Sequence, residues 1–362
     1  MGVAPCPLAL PRWNSEENTR PTLPSRRPAI GEIIPARYDR LMCYSAQVIE
    51  LVRKFQRVLN IRLDFDEAKK LFLRRLDDPS INISRGFEAN FEEPTTEDGR
   101  QIKEAIDAHR ARLATKIEKD LFTQKTRLVN AERLLKVKET KKAREHVRIA
   151  TSKIDTLTAK LTDLRRTEPK SRDSRIFPNV YTGVIIKRDG ENFLVPMRYG
   201  CLPAGKPANF DKRFPGLYNA RRDNLLKFWA EQFGHHHAVM VVDSFYENVQ
   251  LHVKEHRELR SGESPQNVVL HFTPTPPQPM LIACLWSHWA GPNEGEINGF
   301  AAITDEPPPD IAAAGHDRCI INLRPENIDA WLTPEQRSVA ELQATLSNRA
   351  VSTYEYAALQ AA

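Results

Sequence analysis

The feature that most constrains the fold is a stretch of 67 residues, 101–167, which contains neither proline nor glycine. Its apolar residues recur at intervals of three and four in two runs, which predicts amphipathic helices. A polar interval at 138–146 separates the runs. We therefore predict an antiparallel helical hairpin that folds back near 138–146, with one uninterrupted helix as the alternative. The apolar positions are 106, 113, 117, 121, 128 and 135, then 147, 150, 154, 157, 161 and 164.

This stretch also carries the positive charge of the protein. It holds 18 lysines and arginines against 9 acidic residues, a net charge of +9, whereas the whole chain has a formal net charge of +6. The remainder of the chain is therefore net negative. Two interpretations stay open: a basic arm that binds nucleic-acid phosphates by releasing counterions, or a solvated charged face on an inserted hairpin.

The pattern changes on both sides of the hairpin. After Pro169, short apolar runs are bounded by Gly, Pro, Asn or Asp, which predicts strands. Before it, the apolar spacing from 43 to about 76 predicts helices, with Asp66 as the N-cap of a helix over 67–76. The fold class is thus predicted as α+β, a mixed β core with flanking helices and an inserted basic helical hairpin. The predicted strands are 181–186, 193–196, 238–242, 268–272, 281–286, 300–304 and 320–323.

The two ends of the chain are predicted to lie outside this core. Residues 1–41 contain seven prolines, charges of both signs and no apolar period, so 1–42 is predicted to be a disordered extension. An over-extended start site is the preferred explanation, with proteolytic removal as the other. We predict a domain over 43–345 that contains the 101–167 insertion. A closing helix from Pro334 to about 348 and a frayed tail, 346–362, complete the expected organisation.

Composition limits the class of protein. With 41% apolar residues, the 362-residue chain can bury a large core, and it has neither a spanning apolar run nor a secretory signal. A cytoplasmic location is expected, nucleoid-associated if the source is bacterial. Five widely separated cysteines predict neither a disulfide framework nor a zinc site. No cofactor or metal is expected, because glycine-rich phosphate motifs are absent and the run His235, His236 and His237 would alternate between faces of a strand.

Cys43 directly follows Met42. If that methionine is the initiator, its removal leaves an amine and a thiol on neighbouring carbons, a pair that captures aldehydes as a thiazolidine. An α-amino group with a pKa of about 7.7–8.0 is roughly a tenth to a sixth neutral at pH 7, far more than a lysine with a pKa of about 10.4. The alternative is a buried, inert cysteine that happens to follow a methionine.

Four short motifs follow in order: Pro-Met-Arg-Tyr-Gly at 196–200, Tyr-Asn-Ala-Arg at 218–221, Phe-Tyr-Glu at 245–247, and Gly-His-Asp-Arg at 315–318. Each alone is unspecific. In this order, with a late Thr304 and behind a Met-Cys start, they resemble the SRAP family, the SOS-response-associated peptidases or abasic-site-processing proteins. The resemblance runs from Met42 to about Leu332, interrupted by 101–167.

The resemblance implies covalent capture of abasic sites in single-stranded DNA, whose opened sugar presents an aldehyde. In this scheme Cys43 supplies the amine and the thiol, and Asn219 positions the N-terminus or the sugar. Glu247 moves protons during imine formation. His316 protonates the sugar oxygen during ring opening or cross-link reversal. The four residues are the predicted catalytic set.

Further expectations come from the same resemblance. Arg198 and Arg221 are the predicted DNA-binding residues, placed to contact phosphates that flank the lesion. The expected partner is single-stranded DNA with abasic sites, with no membrane and no small-molecule cofactor. The family's peptidase assignment implies autoproteolytic release of the N-terminal segment.

The sequence also departs from the family pattern. The usual Cys-Gly-Arg start is Cys43, Tyr44 and Ser45 here, a usual tryptophan is Asn248, and a usual methionine is Cys319. These changes alter the expected shape of the DNA groove. Two rival functions remain: a thiol peptidase or hydrolase that uses Cys43 and His316, and a non-catalytic nucleic-acid-binding protein that uses only the hairpin.

Overall fold

The structure is a computed structural model of the chain, and it describes residues 45–48, 59–203, 205–207, 209–291 and 295–359. In chain order the strands are β1 Ser45–Val48, β2 Ile61–Leu63, β3 Asn82–Ile83, β4 Arg175–Ile176, β5 Val180–Arg188, β6 Glu191–Tyr199, β7 Asn219–Arg221, β8 His237–Gln250, β9 Asn267–Thr275, β10 Met280–Gly291, β11 Gly295–Asp305, β12 Cys319–Ile320 and β13 Thr353–Ala358. The α-helices are α1 Phe65–Asp77, α2 Arg85–Glu88, α3 Glu97–Val137, α4 Lys141–Arg165, α5 Phe210–Arg213, α6 Leu251–Lys254, α7 Pro309–Ala313, α8 Ile328–Leu332 and α9 Val339–Ser347.

Five strands close into a barrel. Around it the order is β5, β6, β11, β10 and β8, and pairing of Ile185 with Val239 returns β8 to β5. The β6–β11 pair is parallel and the other pairs are antiparallel. A closed barrel leaves none of these five strands as an open edge along its paired length. The α+β class and six of the seven predicted strand regions are confirmed, whereas the region 320–323 contains only the end of β12, at Ile320, and isolated bridges at Asn322 and Leu323.

Both faces of the barrel strands are apolar. Val184 and Ile186 pack in one buried cluster, with Met240, while the intervening Ile185 packs in the other, with Val239. Side chains alternate across a strand, so one cluster fills the barrel and the other lies between its outer face and the helices. This double burial explains why the strands appear in the sequence as nearly continuous apolar runs.

Strand β8 continues beyond the barrel and is the element around which the candidate site is built. Its first half pairs with β10, and its second half pairs with β9 on that side and with β1 on the other. In the β1 pairing Ser45 lies opposite Tyr246. The prediction of a helix was wrong for residues 45–48, because pairing with β8 and β4 supplies backbone partners that local spacing does not reveal.

The predicted helix at 67–76 is present but begins earlier. Helix α1 starts at Phe65, and the carboxylate of Asp64, not of Asp66, accepts a hydrogen bond of 3.0 Å from the backbone N–H of Glu67. Asp64 is also held by Arg188 at 2.8 Å. The N-cap prediction was therefore two residues late, since Asp66 lies inside the first turn, where a carboxylate favours the helix dipole.

The helical hairpin is present, and the single-helix alternative is excluded. Helices α3 and α4 are separated by three residues, 138–140, and the Thr140 hydroxyl accepts a hydrogen bond of 3.1 Å from the Ala143 N–H. Small buried residues, including Ala131 and Ala150, let the two helices approach closely. At its base, Glu88 pairs with Arg75 at 2.6 Å and with Arg110 at 2.7 Å, which joins the hairpin to the core.

The predicted C-terminal tail is wrong for residues 353–358. These residues form β13, which pairs antiparallel with β9, and Tyr354 packs edge-on against the buried Phe245. The closing helix predicted from Pro334 to about 348 is present as α9, preceded by a short 3₁₀ turn over Pro334–Gln336. The hydrogen bonds to β9 explain why this largely exposed segment forms a strand. Within the described ranges, no helix is both long enough and apolar enough to cross a bilayer.

Candidate functional site

Two predicted catalytic residues, Glu247 and His316, meet inside the protein. The ring nitrogen Nε2 of His316 lies 3.1 Å from Oε2 of Glu247, and neither side chain has exposed surface. The distance is that of an ion pair, although the N–H is not aligned on the carboxylate as in a hydrogen bond. Because both groups are buried, water screens their electrostatic interaction only weakly.

A glycine turn presents His316 to this contact. Gly315 follows α7 with φ +92°, and a Cβ there would lie 3.0 Å from side-chain carbons of Val249 and Val253. Any other residue would be strained in this left-handed conformation. The glycine therefore lets the turn pack directly against the end of β8, close to Glu247.

The backbone fixes the tautomer of His316. Its Nδ1 lies 2.7 Å from the carbonyl oxygen of Arg318, which can only accept, so Nδ1 carries a hydrogen. The Arg318 N–H, at 3.3 Å from the same nitrogen, is the weaker contact. Neutral imidazole would then present a bare Nε2 to a carboxylate oxygen. The 3.1 Å separation of the ring nitrogen and the carboxylate oxygen is an arrangement suited to passing a proton.

The first described residue, Ser45, lies beside this pair. It is fully buried, it pairs with Tyr246 across β1 and β8, and its hydroxyl accepts a hydrogen bond of 3.1 Å from Nε of Arg175. The Arg175 guanidinium covers the Tyr246 ring at 3.7 Å, and His271 stacks on that ring at 4.3 Å. These contacts fix the start of β1 next to Glu247. Cys43 itself lies outside the described residues.

Asn219 lies on another element. It begins β7, which runs parallel to β11, and its side-chain oxygen is 3.5 Å from the hydroxyl of Tyr199. Tyr199 stacks on Phe300 at 5.1 Å. Next to this stack the backbones at Gly299 and Gly200 approach each other closely. This approach requires a glycine at 299, because a Cβ there would lie 2.4 Å from the carbonyl oxygen of Gly200. Asn219 is thus buried beside the Tyr199–Phe300 stack.

Arg221 belongs to a surface ion-pair group. It pairs with Asp223 at 2.7 Å, and Arg318 approaches the same carboxylate at 3.9 Å. The hydrogen bond from Arg221 lowers the pKa of Asp223, and the charge of Arg318 lowers it further. Arg318 was not predicted as a binding residue, although it stands two positions after His316 and shares that turn. Its position in the motif was the available signal.

Arg198 lies in a separate cleft of about 790 Å³, where it pairs with Asp211 at 2.8 Å. Arg74 and Lys212 also line the cleft, as does Tyr218, the residue before Asn219. The cleft therefore presents several cations next to the β7 end of the candidate site. Both predicted phosphate-binding arginines are in ion pairs, which a phosphate would have to replace.

The described cysteines are poor nucleophiles. Cys201, Cys284 and Cys319 are free thiols with almost no exposed surface. Burial raises the pKa of Cys201 to about 12, and the pKa of Cys284 is also raised by burial. Burial, together with the charge of Glu247, raises the pKa of Cys319 well above its usual range. Thiolate chemistry at neutral pH is therefore disfavoured at all three positions.

A family model described as SOS response associated peptidase (SRAP) matches residues 136–361, which is more than half of the chain. The chain belongs to the SRAP family. SRAP membership associates the protein with the response to DNA damage. The matched range includes Arg198, Asn219, Arg221, Glu247 and His316. It begins within the hairpin rather than at Met42, so Cys43 precedes it.

Solved structures similar to this SRAP protein include proteins from two bacteria. A protein from Bordetella bronchiseptica is 19% identical, with 52% of this chain and 88% of that chain covered and a TM-score of 0.40. A protein from Bacteroides thetaiotaomicron is 14% identical, with 52% and 78% covered and a TM-score of 0.41. A phage-related protein from Bordetella bronchiseptica is 21% identical, with 52% and 82% covered and a TM-score of 0.39. No curated protein matches the chain.

His237, the last residue of the histidine run, makes hydrogen bonds and a ring contact that support the SRAP fold. Its Nε2 accepts a hydrogen bond of 2.9 Å from the Gly234 N–H, and its Nδ1 lies 2.9 Å from the carbonyl oxygen of Trp331. The ring also stacks on Trp331 at 3.8 Å. Burial lowers its pKa to about 3. Both nitrogens are used in these contacts, and the imidazole is neutral near pH 7.

This burial predicts a loss of stability in acid. The unfolded chain binds a proton at His237 below a pKa of about 6.5, whereas the folded chain does so only near 3. The free energy of unfolding therefore falls as pH decreases through this window, by about 1.4 kcal/mol per pH unit. Between pH 6.5 and 5, we expect the free energy of unfolding measured in urea to fall by about 2 kcal/mol more for the wild type than for His237→Gln. Equal pH slopes would contradict this.

Proposed function

We propose that the chain, when Cys43 is its first residue, captures the aldehyde of an abasic site in single-stranded DNA as a thiazolidine. The observation that carries the proposal is the buried Glu247–His316 contact beside the start of β1. Two residues of chain span at most about 7 Å, so Cys43 must fall within that distance of Ser45. In this proposal the amine and the thiol of Cys43 react beside the Glu247–His316 pair.

The reaction balances with the groups at hand. The Cys43 amine adds to the aldehyde carbon, and loss of the carbonyl oxygen as water leaves an imine. The Cys43 sulfur then bonds to the imine carbon, and its proton passes to nitrogen, closing the five-membered ring. Glu247 accepts the proton released by the attacking amine and passes it across the contact to His316, which donates it to the departing oxygen. One water is released and no oxidant is required.

The flanking cations supply the DNA contacts in this proposal. Arg318 and Arg221 face one carboxylate, Asp223, and can exchange it for a phosphate of similar charge. Arg198 and Lys212 line the neighbouring cleft. Asn219 lies in the sequence between Lys212 and Arg221, and its side-chain oxygen contacts the Tyr199 hydroxyl. In this proposal Asn219 orients the opened sugar.

The test uses a chain that starts at Met42, so that removal of this initiator exposes the Cys43 amine. The intact mass of the purified protein verifies that Met42 has been removed. It is incubated with single-stranded DNA that contains one abasic site and, separately, with the same strand lacking it. We expect a heat-stable adduct only with the abasic strand, with a mass equal to the sum of the two components less one water. A mature Cys43 chain that forms no such adduct overturns the proposal.

A further inference from the structure

The outer half of the helical hairpin carries nearly all of its charge. Residues 121–153 contain 10 lysines and arginines against 3 acidic residues, a net charge of +7, out of +9 for 101–167. This part lies farthest along the chain from the core contacts of Glu88 and Arg110. With a rise of about 1.5 Å per residue, α3 extends roughly 25 Å from position 121 to its end. The charge is therefore concentrated on the projecting part of the hairpin.

One face of this outer part combines cations with exposed apolar side chains. Phe122, Lys125, Val129, Arg133 and Lys136 follow one another at intervals of three and four, which places them on one face of α3. Phe122 is 74% exposed and Val129 is 43% exposed. This set, the outer face, is distinct from the face that packs on α4 through Leu121, Leu128 and Ala131.

The cations of the outer face are available to a partner. Across the described chain, Lys125, Arg133 and Lys136 have no ion-pair partner, although the acidic Glu132 borders them. Other cations of the hairpin are differently placed, since Arg144, Arg148 and Arg165 pair with Glu139, Glu145 and Glu118. A phosphate that binds the outer face would therefore displace no existing ion pair.

We infer that the outer face binds single-stranded DNA, with phosphates on Lys125, Arg133 and Lys136 and a base stacked on Phe122. Charge complementarity to a polyanion explains the cations. The exposed ring favours a single strand over a duplex, because base faces are accessible for aromatic stacking only when unpaired. The choice of nucleic acid as the partner rests on the proposed function, but binding at the outer face requires no covalent chemistry.

The hairpin would thus be a second contact on the same molecule as the candidate site. A strand held at the outer face raises the effective concentration of neighbouring nucleotides at the core. The ion pairs of Glu88 with Arg75 and Arg110 fix the base of the hairpin, so this second contact is attached rigidly. Capture at saturating DNA concentration does not depend on it.

The experiment measures binding of intact, fluorescently labelled oligothymidylate, which has no abasic site, over a range of salt concentrations. The test variant replaces Lys125, Arg133 and Lys136 by Gln. The matched control replaces Lys116, Lys119 and Lys160 by Gln, which removes the same charge from exposed positions nearer the core. We expect the slope of log K against log salt to fall by roughly 2 in the test variant, at about 0.7 per lost phosphate contact, and to change much less in the control.

A third variant, Phe122→Ala, separates stacking from charge. We expect about tenfold weaker binding to the single strand with an unchanged salt slope, and unchanged binding to a duplex of the same length. Exposed positions on a helix tolerate all these changes, which circular dichroism would verify. A parallel measurement records binding of the same variants to phosphatidylserine vesicles. Three outcomes would each overturn the inference: equal salt slopes for the test and control variants, an effect of the substitutions on duplex DNA alone, or a loss of binding to the vesicles alone. Because the strand is intact, failure of aldehyde capture leaves this test unaffected.

Discussion

We expect a chain that begins at Cys43 to lose the proposed heat-stable adduct with abasic DNA when Cys43 is replaced by serine. Serine keeps the α-amino group, so an imine can still form with the aldehyde. The hydroxyl is a far weaker nucleophile than the thiolate and does not close a stable ring with the imine carbon. We expect no adduct on a denaturing gel after heating, and a trapped adduct when borohydride is added during the reaction.

A second variant removes the amine and keeps the thiol. One glycine inserted before Cys43 leaves the sulfur almost in place, but the terminal amine is then no longer attached to the carbon next to the thiol-bearing carbon. This variant should also lose the heat-stable adduct. A thiol hydrolase that uses Cys43 and His316 would instead tolerate the extra residue, because it requires no free amine. An undiminished stable adduct in either variant contradicts the thiazolidine mechanism.

The helical hairpin could be predicted because its signal is local. Apolar residues at intervals of three and four, with no proline or glycine, specify two helices, and a polar interval specifies the turn. Strand β1 gives no such signal, since four residues owe their conformation to β8 and β4. The same holds for β13, whose order depends on β9. Tertiary pairing, not propensity, decides these segments.

The candidate site was predicted as a set of residues, not as an arrangement. Glu247 follows two aromatic residues and has the sequence context of an edge-strand charge, yet it is fully buried because β9 and β1 flank β8. Its contact with His316 joins positions far apart in the chain, and only the tertiary packing of the turn at Gly315 against the end of β8 brings them together. The ion pairs of Arg198 and Arg221 were not predicted either, because spacing does not reveal which acid folds against each cation.

The contact between Glu247 and His316 leads to a second large expected effect. A proton acceptor and a proton donor placed at a reacting group each contribute about 10²- to 10⁴-fold to rate. Glutamine at either position keeps the approximate shape and a hydrogen-bonding group but removes the transferable proton. We therefore expect Glu247→Gln and His316→Gln each to slow adduct formation by at least about a hundredfold under single-turnover conditions.

The double variant is the sharper measurement. In the proposed mechanism one proton passes between the two residues, whose nearest atoms are 3.1 Å apart. Removing either residue then disables the transfer, and the double variant should be no slower than the slower single variant. Independent roles would instead multiply the two losses. Glu88→Gln is the matched control, since Glu88 is a buried carboxylate in ion pairs at the base of the hairpin. It should lower the free energy of unfolding and leave the rate of adduct formation unchanged at a temperature where the variant is folded. Multiplicative losses in the double variant would show that Glu247 and His316 act on separate protons, and the shared-proton assignment would then be wrong.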